Sequence, residues 1–280
     1  VTHRGSQAAA AQRAGRAARQ SPGVAYRLWE EAAHAGRAPF DPPEMLTSDL
    51  APLVLALTQW GVADPASLPW LDPPPAPALA AARGRLGELG ALDRAGQITE
   101  RGRRIAALPM EPWQAAMLLF GAEHGAGEQA ARLALLLQER GLGGRGEDLA
   151  QRLTRWNGDR SGRAEASRKL AAGWAKRALA LAVRGEPVEP RNGVAPANRP
   201  STSSGRTEEG APLGVLLAMA LPDNLARRRD ASGESWLSAG GRGYVLDVTS
   251  PLATAEWLAI GDAQGQAKGA RIRSEERRVG

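Results

Sequence analysis

The stretch Gln12-Arg-Ala-Gly-Arg-Ala-Ala-Arg19 gathers three arginines and one amide into eight positions. Arginine suits the binding of phosphate. Its planar guanidinium donates two parallel hydrogen bonds to phosphate oxygens, and it stays charged at every physiological pH. The stretch could therefore clamp a phosphoryl group. An arginine-rich helix standing alone is more often a solvated surface, so its context has to decide. A second cationic run, Arg227, Arg228 and Arg229, could hold the phosphates of a nucleic-acid strand. Its plain alternatives are a solvated basic cluster, or pairing with acidic groups elsewhere.

Other chemistries are excluded or unsupported. The chain has no Cys, which rules out disulfides, thiol catalysis and Cys-ligated zinc. His3, His34 and His124 are scattered and join no acidic cluster at metal spacing, so no metal site is expected. The longest apolar run, near residues 214–221, falls far short of the ~20 residues that a membrane span needs. No signal peptide is visible, and a cytoplasmic protein without a membrane partner is the default expectation. The formal net charge of +6 favours polyanion partners such as nucleic acid. With 43% hydrophobic and 24% charged residues, a packed core is expected.

The elements that would position these residues read as mainly helical with a small β part. Residues 6–15 form a short helix, and residues 24–28 alternate like a short strand after the Pro22-Gly23 turn. The clearest helix spans 47–61, with Thr47 or Ser48 as cap, Gly61 as its stop, and Leu50, Leu53, Val54, Leu57 and Trp60 on one face. A proline-rich connector covers 65–77. A second helix runs over 76–89, with Leu79, Ala82, Leu86 and Leu89 inward, and Gly90 ends it. Residues 92–98 read as a small hairpin turning at Arg94-Ala-Gly96. Thr99 can cap a third helix, running through Arg104 to Leu108. Helices followed by a short wing describe a winged-helix domain over 41–107.

Pro112 opens a further helix in which Trp113, Ala116, Met117 and Phe120 recur at helical spacing. Helices over 128–140 and 163–183, the latter with Leu170, Trp174 and Leu181 inward, complete a bundle over 108–183. Residues 184–211 hold prolines, glycines and a Ser/Thr run with almost no large apolar side chain, and read as a disordered insertion. Its Ser201-Thr-Ser-Ser-Gly-Arg-Thr-Glu208 string resembles a translated bacterial interspersed repeat. A helix over 213–221 and short strands near 235–237, 243–248 and 257–260 suggest the start of a small β-barrel over 212–263. The charged tail over 264–280, whose end resembles a translated sequencing adapter, is set outside the fold.

Gln12-Arg-Ala-Gly-Arg-Ala-Ala-Arg19 resembles motif VI of superfamily-2 helicases, Q-R-x-G-R-x-G-R, at all but one position. Ser6-Gln7-Ala8 precedes it at the family spacing. Glu44-Met-Leu-Thr-Ser-Asp-Leu50, Gln59-Trp-Gly61, Leu89-Gly-Ala-Leu92, Ile98-Thr-Glu-Arg-Gly102 and Ala107-Leu-Pro-Met-Glu-Pro112 follow in helicase order. Pro222-Asp-Asn-Leu-Ala-Arg-Arg-Arg229 resembles the P-D-R-I-A-R-R-R string of the HrpB family of DEAH-box-type ATP-dependent RNA helicases. The resemblance covers about 1–183 and 212–263. It implies that residues 1–28 end a second RecA-like lobe, that 108–183 is a ratchet-like bundle, and that 212–263 is part of an OB-like barrel. It also implies ATP with Mg²⁺ as cofactor and single-stranded RNA as partner.

By the same resemblance, Arg16 and Arg19 are arginine fingers on the γ-phosphate, a device that contributes ~10³–10⁵ in rate. Gln12 positions the attacking water or touches that phosphate, Gly15 keeps a turn tight, and Arg13 packs or forms an ion pair. The family has Gly where Ala18 stands, which bears on Arg19 more than on Arg16. The sequence contains no G-x-x-x-x-G-K-[ST] loop and no D-E-x-H box. The expectation is therefore a C-terminal piece, missing its N-terminal RecA lobe and the Mg²⁺ ligands, and inactive alone. Two other readings stay open: a stand-alone winged-helix nucleic-acid-binding module, and a structural protein whose helices dock a partner. Against the first, the 76–89 helix carries only Arg83 and Arg85 as cations, few for a helix that reads a groove.

Overall fold

A computed structural model describes residues 5–62, 64–139, 141–183, 212–264 and 270–272. The insertion expected over 184–211 and the end of the tail, 273–280, lie outside the described residues. The chain divides into two units, one of residues 1–50 and 64–82, the other of residues 51–63 and 83–280. The division runs through the stretch expected as a single winged-helix domain.

The first unit is built on two short helices, α1 (Gln7–Ala17) and α2 (Glu31–Ala35), and two single 3-10 turns, Glu44–Leu46 and Pro65–Ser67. Ser6 caps α1 by accepting the Ala9 amide at 3.0 Å. The expected strand over 24–28 does not form. Val24, Tyr26 and Leu28 are 73%, 86% and 93% exposed. Alternation alone makes no strand: its N–H and C=O groups need a neighbouring strand, and none pairs there among the described residues. Inside the proline-rich connector, Asp64 caps the Pro65–Ser67 turn, and the Trp70 indole donates to the Pro65 carbonyl at 2.6 Å.

In the second unit, α3 (Ala51–Gln59) begins later than the expected 47–61 helix. Thr47 is not its cap: the hydroxyl donates back to the Glu44 carbonyl in the preceding 3-10 turn. Gly61, at φ +91°, does close the helix. Its amide reaches Thr58 O at 3.1 Å, and the Val62 amide reaches Leu57 O at 2.9 Å. Val54 and Leu57 are buried as expected, but Trp60 is 82% exposed. It stands one residue past the last helical turn, where the 3.6-residue spacing no longer applies.

Helix α4 (Ala76–Glu88) buries Leu79, Ala82 and Leu86 and ends at Gly90, φ +70°. The division between the units falls inside it. The wing that follows is a single antiparallel bridge, Leu92 to Ile98. Asp93 Oδ1 accepts the Ala95 and Gln97 amides at 2.9 and 2.8 Å, which folds the Arg94-Ala-Gly96 turn. Thr99 caps α5 (Glu100–Ala106) through the Gly102 amide at 2.9 Å, and its hydroxyl also donates to Gly90 O at 2.6 Å. A Cβ on Gly102 would lie 2.2 Å from the Ala91 carbonyl oxygen and 2.8 Å from Ile98 Cγ1. Gly102→Ala is expected to push α5 off the wing and destabilise the protein by about 1–3 kcal/mol, read as a lowered denaturation midpoint. A variant as stable as the parent would show that the wing gives way freely.

The bundle packs α6 (Pro112–Glu123), α7 (Gly127–Gln138), α8 (Leu149–Gly158) and α9 (Gly162–Val183). Pro112 occupies the first turn of α6, where its missing N–H costs nothing. This helix is buried nearly all round, through Ala115, Ala116, Met117, Leu118 and Leu119. Helix α8 has no counterpart in the sequence reading. In α9 the inward face also differs from expectation. Leu170 is 45% exposed, and Trp174 and Leu181 are half-buried. The buried positions are Ala164, Ser167, Ala171, Ala175 and Ala178. Small side chains let α9 lie close against α6 and α7, so the seam selects alanine over leucine.

Helix α10 (Leu213–Ala220) leads into a six-stranded sheet: β1 (Leu225–Arg228), β2 (Ser235–Ser238), β3 (Gly243–Val245), β4 (Trp257–Ala259), β5 (Ala263–Gln264) and β6 (Ala270–Ile272). Their order is β4-β1-β2-β3-β6-β5, with every pair antiparallel except β3–β6. The sheet thus extends past the expected boundary at 263 and uses residues 270–272 of the segment set aside as tail. Its inner face packs Ala226, Trp236, Tyr244, Leu246, Ile260 and Ile272 into one core. Among the described residues no helix is long and apolar enough to cross a membrane.

Candidate functional site

The arginine stretch lies on α1 and the bend after it. Gln12, Arg13 and Arg16 are on the helix, and Arg19 stands just beyond its C-cap, Ala18. All four are exposed. Gln12 and Arg16, four residues apart, share one helical face. Among the described residues, none of Gln12, Arg16 and Arg19 has a protein hydrogen-bond or ionic partner. Arg16 sits in the last turn, where a cation complements the helix dipole.

The N-terminal end of α1 is fixed in place. The Ser6 amide donates to Asp41 Oδ1 at 3.1 Å, and the Gln7 and Ala8 amides donate to the carbonyls of Ala38 and Pro39 at 2.9 and 3.0 Å. The Gln7 side chain spans the carbonyls of Ala35 and Arg37, and Arg37 reaches back to Gly5 O. The Arg37 guanidinium also lies 4.2 Å over the Trp29 ring. These bonds satisfy the free amides that open any helix, and they hold α1 as a rigid arm.

Gly15 is not the turn glycine. It lies inside α1, and a Cβ there would meet open space. The tight approach is at Gly23, where a Cβ would fall 2.0 Å from the Ala17 carbonyl oxygen. Ala18, at φ −111° and ψ 27°, carries its side chain in an allowed conformation, so the alanine in the usual glycine position imposes no strain.

The Arg227, Arg228 and Arg229 run does not act as one patch, because a strand turns alternate side chains to opposite faces. Arg227 is 65% exposed, with its guanidinium 3.6 Å from Glu256 and 5.5 Å over the Trp257 ring. Arg228 points the other way and donates to the carbonyls of Ala253 and Thr254 at 3.2 and 3.3 Å. Its geometry is that of a brace within the β part. Arg229, one residue past the end of β1, is exposed.

The turn after Arg229 is tied by Asp230. Its Oδ1 accepts from the Ser232 hydroxyl at 2.9 Å and from the Gly233 and Glu234 amides at 2.7 and 3.1 Å, and its Oδ2 accepts the Ser235 amide at 2.9 Å. Hydrogen bonds from Ser235, then Ser232, hold its carboxyl down at about 2. A carboxyl depressed in the folded state stabilises it above the unfolded value, near 4, and that stability is lost as pH falls toward 2. In an NMR titration Asp230 is expected to titrate near 2, and Asp230→Asn to flatten the loss of stability between pH 4 and 2. Titration near 4 would show that the turn is open in solution.

The sequence reading also missed two buried arginines. Arg104, 5% exposed, pairs with Glu123 at 3.6 Å, and Arg101 reaches the same carboxylate at 3.2 Å. Arg152 of α8, 8% exposed, donates to the carbonyls of Leu136 and Leu142. Both join helices together: Arg104 links α5 to α6, and Arg152 links α8 to α7. Among the described residues no group of three or more His, Asp or Glu could hold a metal ion.

Known proteins resemble this chain in sequence and in fold. Residues 82–110 match the family model of the helicase-associated domain HA2, winged-helix, the segment built from the end of α4, the wing and α5. The chain is 34% identical to the ATP-dependent RNA helicase HrpB of Escherichia coli over 258 residues, covering 92% of this chain and 28% of that protein. It is 38% identical to the pre-mRNA-splicing factor ATP-dependent RNA helicase prp22 of Schizosaccharomyces pombe, over 47% of this chain and 11% of that one. A crystal structure of the Escherichia coli DEAH/RHA helicase HrpB superposes with a TM-score of 0.71 at 31% identity, covering all of this chain and 32% of that one. Another, of the same species' DExH-box NTPase HrpB, gives 0.68 at 32% identity, covering 97% and 30%. The chain therefore spans about a third or less of the relatives it matches, and it is a homologue of the HrpB ATP-dependent RNA helicases that corresponds to a C-terminal, HA2-containing portion.

Proposed function

We propose that the chain is the nucleotide-sensing and RNA-handling part of a cytoplasmic, DEAH-type ATP-dependent RNA helicase that couples ATP hydrolysis to movement along single-stranded RNA. The observation that carries this reading is α1: a rigid arm presents Arg16 and Arg19 to solvent with no protein partner among the described residues. Two unpaired guanidiniums, Arg16 on the last turn of a pinned helix and Arg19 in the bend after it, fit the terminal phosphate of ATP. A cation that served only the fold would be expected to sit against a carboxylate or carbonyl, as Arg104 and Arg152 do. ATP, when bound, supplies the phosphoanhydride whose cleavage drives the cycle. In this reading the Mg²⁺ that accompanies ATP would be held by the phosphate-loop lobe of the intact helicase.

In this reading α1 and the bend after it close a RecA-like lobe, and Gln12 lies on the Arg16 face, in reach of the attacking water or the γ-phosphate. The winged helix, the bundle as a ratchet, and the sheet as part of an OB-like barrel line the path of the strand. Arg227 and Arg229 face it, while Arg228 braces the wall. The chain alone is expected to show no ATP hydrolysis, and the longer polypeptide to hydrolyse ATP with stimulation by single-stranded RNA. Binding of nucleic acid with no link to ATP in that polypeptide would favour a stand-alone winged-helix module instead.

A further inference from the structure

The geometry points to a base-stacking platform for single-stranded nucleic acid on the outer face of the sheet, centred on Trp257. This inference rests on the RNA-handling reading above and adds to it a residue and a recognition chemistry.

The sheet register sets the platform. Arg227 is opposite Trp257 on β4 and opposite Leu237 on β2, and Leu237 is opposite Gly243 on β3. Side chains directly opposite one another in a sheet share a face. Ala226, Trp236 and Tyr244, one position along, turn inward and are buried. Trp257, Arg227 and Leu237 must therefore turn outward in one row. Trp257 is 51% exposed and Leu237 39% exposed. Arg229, one residue past the end of β1, is exposed, and its amide donates to Ser235 O at 2.9 Å.

The exposed tryptophan and leucine flank Arg227 in this row, one strand to either side of it, so the row offers apolar surface next to a cation. The arginine between them argues for what covers that area. A cation beside an aromatic ring suits a strand that has both phosphates and a bare base face. Base–aromatic stacking is tolerant of sequence, because every base has a π-face, and the backbone charge goes to the neighbouring guanidinium. Glu256 pairs with Arg227 at 3.6 Å. Both groups are about two-thirds exposed, so water screens that pair and a phosphate can compete for the guanidinium. The Arg227 guanidinium over the indole, at 5.5 Å, also holds the ring in place before a base arrives. A duplex hides its base faces, which makes the platform selective for unpaired strands.

The test uses the 280-residue chain and fluorescence anisotropy with three labelled probes: a 12-residue oligouridylate, the same oligomer lacking its bases, and a blunt RNA duplex. Trp257→Ala is expected to weaken oligouridylate binding about tenfold or more, and Trp257→Phe to keep affinity within a few fold of the parent. The baseless oligomer should bind the parent about as weakly as oligouridylate binds the Ala variant, and should not distinguish the two proteins. The duplex should be unaffected by either change. An unchanged affinity in Trp257→Ala, equal binding of the baseless and complete oligomers, or no binding of oligouridylate by the parent would each overturn the platform. The helicase reading fails separately, if the longer polypeptide shows no ATP hydrolysis. A partner protein covering this face would appear as a parent that binds none of the three probes.

Discussion

Arg16→Ala, made in the longer polypeptide that carries the phosphate loop, is expected to lower kcat for ATP hydrolysis by about 10³-fold or more. Two features of the structure lead to this figure. Arg16 is exposed, with no protein partner among the described residues, so its removal should leave folding within about 0.5 kcal/mol of the parent. The arm that carries it is pinned at its N-terminal end by Asp41, Ala38 and Pro39, so the helix backbone that presents the guanidinium is fixed. A group held in position before reaction stabilises developing charge without reorganising. Arg16→Lys should restore little, because an ammonium is a point charge and cannot make the two parallel bonds of the planar fork. Steady-state kinetics check this: kcat should fall while RNA affinity without nucleotide stays level. A rise in KM alone would assign Arg16 to ground-state binding.

The largest structural effect is expected at Trp156. This side chain is fully buried in α8, and its indole N–H donates to the Ser167 hydroxyl of α9 at 3.0 Å. From the same turn, Trp156 O and Asp159 O both accept from Arg168, each at 2.8 Å. Trp156→Ala opens a large cavity and removes the donor, at a cost of about 3–5 kcal/mol. That is a large part of the total stability of a typical domain. Trp156→Phe keeps much of the volume and loses mainly the hydrogen bond, about 1 kcal/mol. Chemical denaturation followed by far-UV circular dichroism should place the Ala variant far below the parent and the Phe variant between them. Equal midpoints for parent and Ala variant would mean that α8 is not part of the cooperative core.

These two residues also show what the sequence could and could not reveal. The arginine arm was legible because its pattern is local: the capping Ser6, the helix and the spacing of the cations all lie within fourteen residues. The wing was legible for the same reason, since Asp93, Gly96 and Thr99 each fix their own turn. Helix α8 was not legible, because one of its two inward positions is Arg152, which breaks the apolar period that marks a helix. Its signal was Asp148, a capping residue whose carboxylate accepts the Ala150 and Gln151 amides. In α9, large apolar residues were expected inward, and the seam took alanines instead. How closely two helices approach is decided by both partners, and one helix's pattern cannot state it. The residues of the 24–28 stretch alternate as a strand does, but a strand exists only with a neighbour. The cationic triplet read as one patch. The strand period turns Arg227 and Arg228 to opposite faces, Arg229 lies past the strand's end, and only the register with β4 brings Trp257 beside Arg227.

The central claim is that the arginine arm links the state of the nucleotide to RNA held by the rest of this chain. Its most direct test is the affinity of the longer polypeptide for single-stranded RNA with ADP and with a non-hydrolysable ATP analogue, in the parent and in Arg16→Ala. The account predicts that the two nucleotides give affinities differing by roughly 5- to 150-fold, the usual range of such coupling, and that Arg16→Ala brings them together. Equal affinities in the parent, or a difference that survives the loss of Arg16, would contradict it.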